Sequence, residues 1–146
     1  GLRSKGVGSV HAFFNGLLEH FSGRYASLES INFADFRVEG DLASNPDGNR
    51  SDSRCTAVLL VRTSEDEFFE FRHPSSSVTS ASLGSVTKAV AFFINSERAF
   101  VQLHRALSHA RAEHREDSVQ YYTQQLTTLV EATSYSAVIE KLKKDL

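Results

Sequence analysis

Residues 6–12 (GVGSVHA) carry the residue types and spacing in this chain that most suggest chemistry. Two glycines and a serine lead into an apolar series that begins at Val10. We predict a helix over residues 9–22, capped by Ser9, with the glycines forming a flexible loop before it. The first backbone N–H groups of such a helix can receive a carboxylate or a phosphate. The alternative is that this segment only starts a helix and binds nothing.

A second segment of the same kind precedes another predicted helix. Residues 74–77 (PSSS) lead into apolar positions at helical spacing. Two helix starts of this type predict a small pocket that accepts a carboxylate at the N–H groups and an aliphatic side chain nearby. The apolar positions of the second helix are Val78, Thr79, Leu83, Val86, Val90 and Phe93, and those expected to contact the aliphatic group are Val10, Phe13, Val78 and Leu83.

The remaining candidates for chemistry do not form a catalytic set. His104, His109 and His114 are five residues apart, about 140° around a helix, whereas metal-binding pairs on a helix are three or four apart. Cys55 lies in the most apolar segment, where burial makes a thiol unreactive. The glycine pair lacks the third glycine and the preceding strand of a dinucleotide site. We therefore expect no catalytic residue, no metal and no cofactor.

Composition narrows the class of protein. The 146 residues have a net charge of −2 and are 40% hydrophobic, as in an ordinary globular domain. This charge argues against nucleic-acid binding, and no apolar run is long enough to span a bilayer. A single cysteine fits a reducing, cytoplasmic location. The first residue is Gly rather than Met, which we expect of a trimmed chain, a processed product or a segment of something longer.

The sequence patterns between these segments indicate helices and strands that together predict an α+β fold. Residues 33–39 alternate in polarity as a half-buried strand does, residues 55–61 are a continuous apolar run typical of a central strand, and residues 67–72 follow a short polar link. Residues 40–53 are polar and read as a loop. We predict a helix, a three-stranded antiparallel sheet and a helix, followed by a helical C-terminal tail.

The tail is predicted to begin near residue 95. Residues 95–97 (NSE) have the composition of a helix cap, and further helices are expected from Asp117 and over residues 136–144. This division gives an α+β unit over residues 1–95 and a helical extension over residues 96–146. The extension is expected to pack on that unit or on a partner.

Four separated segments resemble one family. Residues 6–12 are similar to the G-x-G-P-V-D-A motif of the C-terminal regulatory domain of 2-isopropylmalate and citramalate synthases. Residues 35–38 resemble its L-x-D-Y-x-V strand, residues 51–53 its T-D-A motif, and residues 75–82 its S-x-[DN]-I-[IV]-x-A-S helix start. The order and spacing agree over about residues 6–95, whereas Ser9 and His11 stand where the family has Pro and Asp.

The resemblance implies a feedback-regulatory domain that pairs as a homodimer. Leucine or isoleucine would bind between the helical units at the subunit interface and would control a catalytic barrel domain in cis or in trans. The effector-binding residues that it implies here are Gly8, Ser9, Val10, His11, Ser75, Ser77 and Val78.

Two other functions remain open at this point. The chain could be a dimerisation or scaffold module that kept the fold without the ligand. It could also be a small independent enzyme, which a close pairing of His11 with Asp52 would favour.

Overall fold

The computed structural model describes residues 2–41 and 54–133, and within them it has the predicted α+β layout. A helix precedes a three-stranded antiparallel sheet, and two helices follow it. The predicted helix at residues 136–144 lies outside the described residues, as do positions 42–53 of the predicted loop; residues 40 and 41 belong to a strand. The elements are α1 (Leu2–Phe21), a 3-10 helix (Ala26–Ser30), β1 (Ile31–Asp41), β2 (Arg54–Thr63), β3 (Phe68–Ser75), α2 (Val78–Ala112) and α3 (Glu116–Thr133).

The three strands form a meander with β2 in the centre, as the sequence predicted. Both strand pairs are antiparallel, and Leu59 of β2 lies between Phe36 of β1 and Phe71 of β3. The register of β1 shifts between Phe33 and Asp35, which is a β-bulge. This shift interrupts the strict alternation of inward and outward side chains along β1.

The hydrophobic core lies between one face of the sheet and the helices α1 and α2. Phe14 of α1, Leu59 of β2 and Phe93 of α2 are fully buried there. Phe93 forms edge-on ring contacts with Phe69 and with its neighbour Phe92. The apolar series of α1 that begins at Val10 belongs to this core or packs against it at every position: Val10, Phe13, Phe14, Leu17, Leu18 and Phe21.

The predicted start of the first helix is wrong. Helix α1 already includes both glycines and Ser9, so these residues form helix interior rather than a loop and a cap. Glycine costs a helix interior about 1 kcal/mol relative to alanine. Val7 packs against the core one turn before Val10, and burial of that extended apolar face outweighs the glycine cost.

The predicted helix boundary at residues 95–97 is also wrong, because α2 continues through it to Ala112. Ser96 is buried and donates a hydrogen bond of 2.7 Å to the carbonyl of Phe92 within the same helix. Glu97 is buried and binds the 3-10 helix rather than capping α2. The division proposed at residue 95 therefore falls inside one continuous helix.

Helix α3 packs on α2, and its start near Asp117 is as predicted. A tight turn joins the two helices, with His114 in the left-handed region at φ 56°. The half-buried side chains of Leu126, Leu129 and Val130 pack against the core.

The sheet face opposite α1 and α2 carries a cluster of paired charges. Val58 of β2 is buried there, and the register places it between Arg37 and Arg72. Arg72 binds Glu39 at 2.9 Å and Glu70 at 2.6 Å, and Arg37 binds Glu39 at 3.0 Å. We call these four charged residues the outer-face cluster.

Candidate functional site

The candidate site is a cavity of about 320 Å³ at the junction of α1, β1 and the first turn of α2. Most of its lining is apolar, and the valine side chains of Val38 and Val78 in it are exposed. This size falls at the lower end of the range for small-molecule pockets. The lining residues are Gly6, Val7, Phe36, Arg37, Val38, Val78 and Ser82.

The predicted effector residues are only partly brought to this cavity. Val78 lines it, and Ser77 immediately precedes the lining residue in the chain. Gly8 and Ser9 are exposed on α1 and are absent from the lining, where Gly6 and Val7 stand instead.

Val10 and His11 are occupied by other contacts. Val10 is only 7% exposed and belongs to the hydrophobic core, so it is unavailable to a ligand. The His11 ring stacks on Phe33 of β1 with centroids 4.5 Å apart. Asp52, the residue that could have paired with His11, lies outside the described residues.

The start of α2 agrees with the sequence prediction. Ser77 is the N-cap, and its hydroxyl oxygen accepts a hydrogen bond of 3.3 Å from the backbone N–H of Ser80. Ser75 supports this turn, because its hydroxyl accepts a bond of the same length from the N–H of Ser77. The N–H groups of Val78 and Thr79 make no hydrogen bond with any residue that the structure describes. The positive end of the α2 dipole and these donors therefore lie beside the cavity.

The predicted apolar series of α2 is only half correct. Val86, Val90 and Phe93 are buried, whereas Val78 and Leu83 are 56% and 42% exposed. Small residues replace them on the buried face of the first turns, because α2 approaches the sheet closely there. These small buried residues are Ala81, Ser82, Ser85 and Ala89.

Arg37 lines the cavity, yet its guanidinium is engaged on the other side of the sheet. It binds Glu39 at 3.0 Å and lies 3.9 Å from Glu70. The charged pole available to a ligand is therefore the start of α2 rather than this arginine.

The three spaced histidines have separate surroundings. His104 stacks on Phe100, His109 lies 3.2 Å from Glu113, and His114 occupies the turn after α2 rather than a helix. No group of three metal-binding side chains occurs within residues 2–41 and 54–133. Cys55 is half-buried, and its thiol donates to the carbonyl of Ser75 over 3.4 Å.

No family model, curated protein or solved structure matches this chain. Among the described helices, none has the length and apolar character needed to cross a membrane.

Sequence reasoning missed Val7, Phe36 and Val38 as lining residues. The polarity pattern places Phe36 and Val38 on one strand face, and Val7 is one turn before Val10 on the apolar face of α1. These signals identify faces of elements. They do not identify which faces meet, since that depends on the strand register and on where α1 begins.

Proposed function

We propose that this chain is a non-catalytic regulatory domain that binds a small aliphatic amino acid in the cavity between α1 and α2. The supporting observation is that an apolar cavity and the N-terminus of α2 lie together. The resemblance to the regulatory domain of 2-isopropylmalate and citramalate synthases supports leucine or isoleucine as the ligand. It also supports a role in feedback control of amino-acid biosynthesis in the cytoplasm.

The two ends of the cavity suit the two ends of such a ligand. A branched aliphatic side chain would contact Val7, Phe36 and Val38, which exclude water from it. The ligand carboxylate would accept hydrogen bonds from the N–H groups of Val78 and Thr79 at the start of α2, which bind no other residue that the structure describes.

Homodimerisation is part of the same proposal. Val38 and Val78 are 39% and 56% exposed, and both line the cavity. A second copy of the chain that covered these side chains would close the cavity and bury apolar surface. The effector would then lie at a subunit interface and would act on a catalytic barrel domain, in cis or in trans, through its different affinities for two states.

Isothermal titration with leucine, isoleucine and valine tests ligand binding. Gly6 lines the cavity, and no atom lies within 4 Å of a Cβ added there, so Gly6→Leu places an apolar side chain in or near the cavity. We expect Gly6→Leu to abolish binding. The matched control is Gly16→Leu, which makes the same change on α1 at an exposed position away from the cavity, and it should bind as the wild type does.

Two results would oppose the proposal. Absence of heat and of any thermal shift with all three amino acids would reject ligand binding. Equal loss of binding in the Gly6 and Gly16 variants would show that the cavity is not the site.

The exposed apolar residues also favour a second function, a dimerisation or scaffold module without a ligand. Val38, Val78 and Leu83 are large apolar side chains that are 39%, 56% and 42% exposed. Analytical ultracentrifugation separates the two functions. A dimer that Val78→Asp dissociates, and that no amino acid stabilises, would favour the scaffold.

A further inference from the structure

A second cavity, of about 290 Å³, lies on another part of the surface, between the turn that follows α1 and the middle of α2. Arg24 and Tyr25 form one side, and Arg98 and Arg105 of α2 contribute to the other. Its remaining lining residues are Glu97, Val101 and Gln102. We call it the arginine cavity.

The three arginines of this cavity differ from those of the outer-face cluster. Arg37 and Arg72 are paired with glutamates there. Within residues 2–41 and 54–133, no ion pair or side-chain hydrogen bond is found for Arg24, Arg98 or Arg105. Three arginines thus line one concave surface, and none of them is paired with another residue that the structure describes.

Glu97 is the single carboxylate in the lining, and it is already used. It is 4% exposed and accepts a hydrogen bond of 2.9 Å from the backbone N–H of Ser27. The Glu97 carboxylate therefore binds the 3-10 helix, and the lining holds three arginines against this one carboxylate. A concave surface with an excess of one sign of charge concentrates ions of the opposite sign.

The spacing on α2 favours a ligand with more than one anionic group. Arg98 and Arg105 are seven residues apart, which places them on the same side of the helix with their Cα atoms about 10 Å apart. Gln102 lies between them and adds an amide donor. Guanidinium groups bind phosphate oxygens in pairs of parallel hydrogen bonds, which lysine cannot do.

We propose that the arginine cavity binds a small, soluble ligand that carries at least two phosphate charges, such as a diphosphate. Arg98 and Arg105 hold its two ends from α2, and Arg24 closes over it from the turn after α1. This site is separate from the amino-acid cavity between α1 and α2, and the proposal does not depend on that function.

Inorganic pyrophosphate is the probe, and calorimetric titration of the whole chain is the measurement. We expect saturable binding that is tighter than that of inorganic phosphate at equal ionic strength. Each lost guanidinium should weaken it roughly tenfold, as expected for a hydrogen bond to a charged group. Binding should also weaken between 0.1 and 1 M NaCl, since the Debye length falls from about 10 Å to about 3 Å.

The test variants are Arg98→Gln with Arg105→Gln, and separately Arg24→Gln from the other wall. All three side chains are exposed, so folding should be preserved, and thermal unfolding verifies this. The matched control is Arg62→Gln with Arg115→Gln, which removes two exposed arginine charges outside the cavity. The control should bind pyrophosphate as the wild type does.

Three outcomes would overturn the proposal. One is absence of pyrophosphate binding to the wild-type chain. Another is equal weakening in the control, which would show a general effect of net charge. The third is binding of a hexaglutamate peptide as tight as that of pyrophosphate, which would assign the cavity to acidic proteins.

Discussion

The carboxylate of Glu97 accepts a hydrogen bond from the backbone N–H of Ser27, seventy positions earlier in the chain, over 2.9 Å. Both residues are buried, and the Ser27 hydroxyl donates a second bond of 3.2 Å to the carbonyl of Phe93. These two bonds attach the 3-10 helix to the middle of α2. The backbone N–H of Ser27, at the start of that short helix, thereby obtains a hydrogen-bond acceptor, since no side chain caps the helix from its own sequence.

Removing the Glu97 carboxylate should destabilise the fold. Glu97→Ala leaves the buried Ser27 N–H without its acceptor, and we expect the free energy of unfolding to fall by about 1–3 kcal/mol. Glu97→Gln keeps an oxygen acceptor and should cost less. Urea denaturation measures both. Asn95→Ala, at an exposed position on the same helix, is the control and should stay within about 0.5 kcal/mol of the wild type. Equal losses for the Asn95 and Glu97 variants would contradict this role.

Gly84 marks a close approach of α2 to β3. A Cβ at this position would overlap the imidazole ring of His73, including its Cγ atom, which cannot move without the rest of the ring. We expect Gly84→Ala to lower the free energy of unfolding by about 1–3 kcal/mol, the usual range for overpacking.

A double-mutant cycle with His73→Ala checks this mechanism. Removing the ring should relieve the overlap, so Gly84→Ala should cost less in the His73→Ala background than alone. The control is Gly8→Ala, because no atom lies within 4 Å of a Cβ there and the position is inside α1. It should stabilise the chain by up to about 1 kcal/mol through helix propensity. An additive cycle would show that the ring is not the obstacle.

The outer-face cluster should make stability depend on acid. Hydrogen bonds from Arg72 and then from Arg37 hold the pKa of Glu39 below its ordinary value of 4.5. A carboxyl group whose pKa is lower in the folded chain stabilises it above the unfolded pKa. That contribution disappears as the pH falls through the folded pKa. The affected window therefore lies below about pH 4.5.

Thermal unfolding from pH 7 to pH 2 measures this dependence. The loss of stability on acidification should be smaller in Glu39→Gln than in the wild type, because the variant has no charge to lose at that position. NMR titration of the Glu39 carboxyl carbon should show a midpoint below 4.5. Glu19→Gln, an exposed glutamate of α1, is the matched control. If Glu39→Gln lost as much stability on acidification as the wild type, the outer-face cluster would not be the cause of the acid dependence.

The parts of the fold that were predicted correctly depend on local patterns. The alternation at residues 33–39, the apolar run at residues 55–61 and the serine-rich segment before Val78 each indicate the local structure from a few neighbouring residues. The errors occur where a contact with a residue far away in the chain determines the local structure. Residues 95–97 resemble a cap, but Glu97 lies inside α2, where its carboxylate accepts a hydrogen bond from the Ser27 N–H. The candidate cavity was predicted as a meeting of two helix starts, whereas α1 contributes its interior through Gly6.

Ser9, which was predicted as a cap, and Ser77, which is the cap of α2, allow a direct comparison. Ser77 lies outside α2 and accepts a hydrogen bond from the Ser80 N–H, whereas Ser9 lies within α1. Ser77→Ala removes that acceptor and should cost about 1 kcal/mol, the usual value for a cap. Ser9→Ala replaces an exposed residue in a helix with a better helix former and should cost less than Ser77→Ala. Ser76→Ala, beside the cap and exposed, controls for the loss of a serine hydroxyl. Chemical denaturation ranks the three variants by their free energies of unfolding. A larger loss of stability for Ser9→Ala than for Ser77→Ala would indicate that Ser9 caps a helix after all.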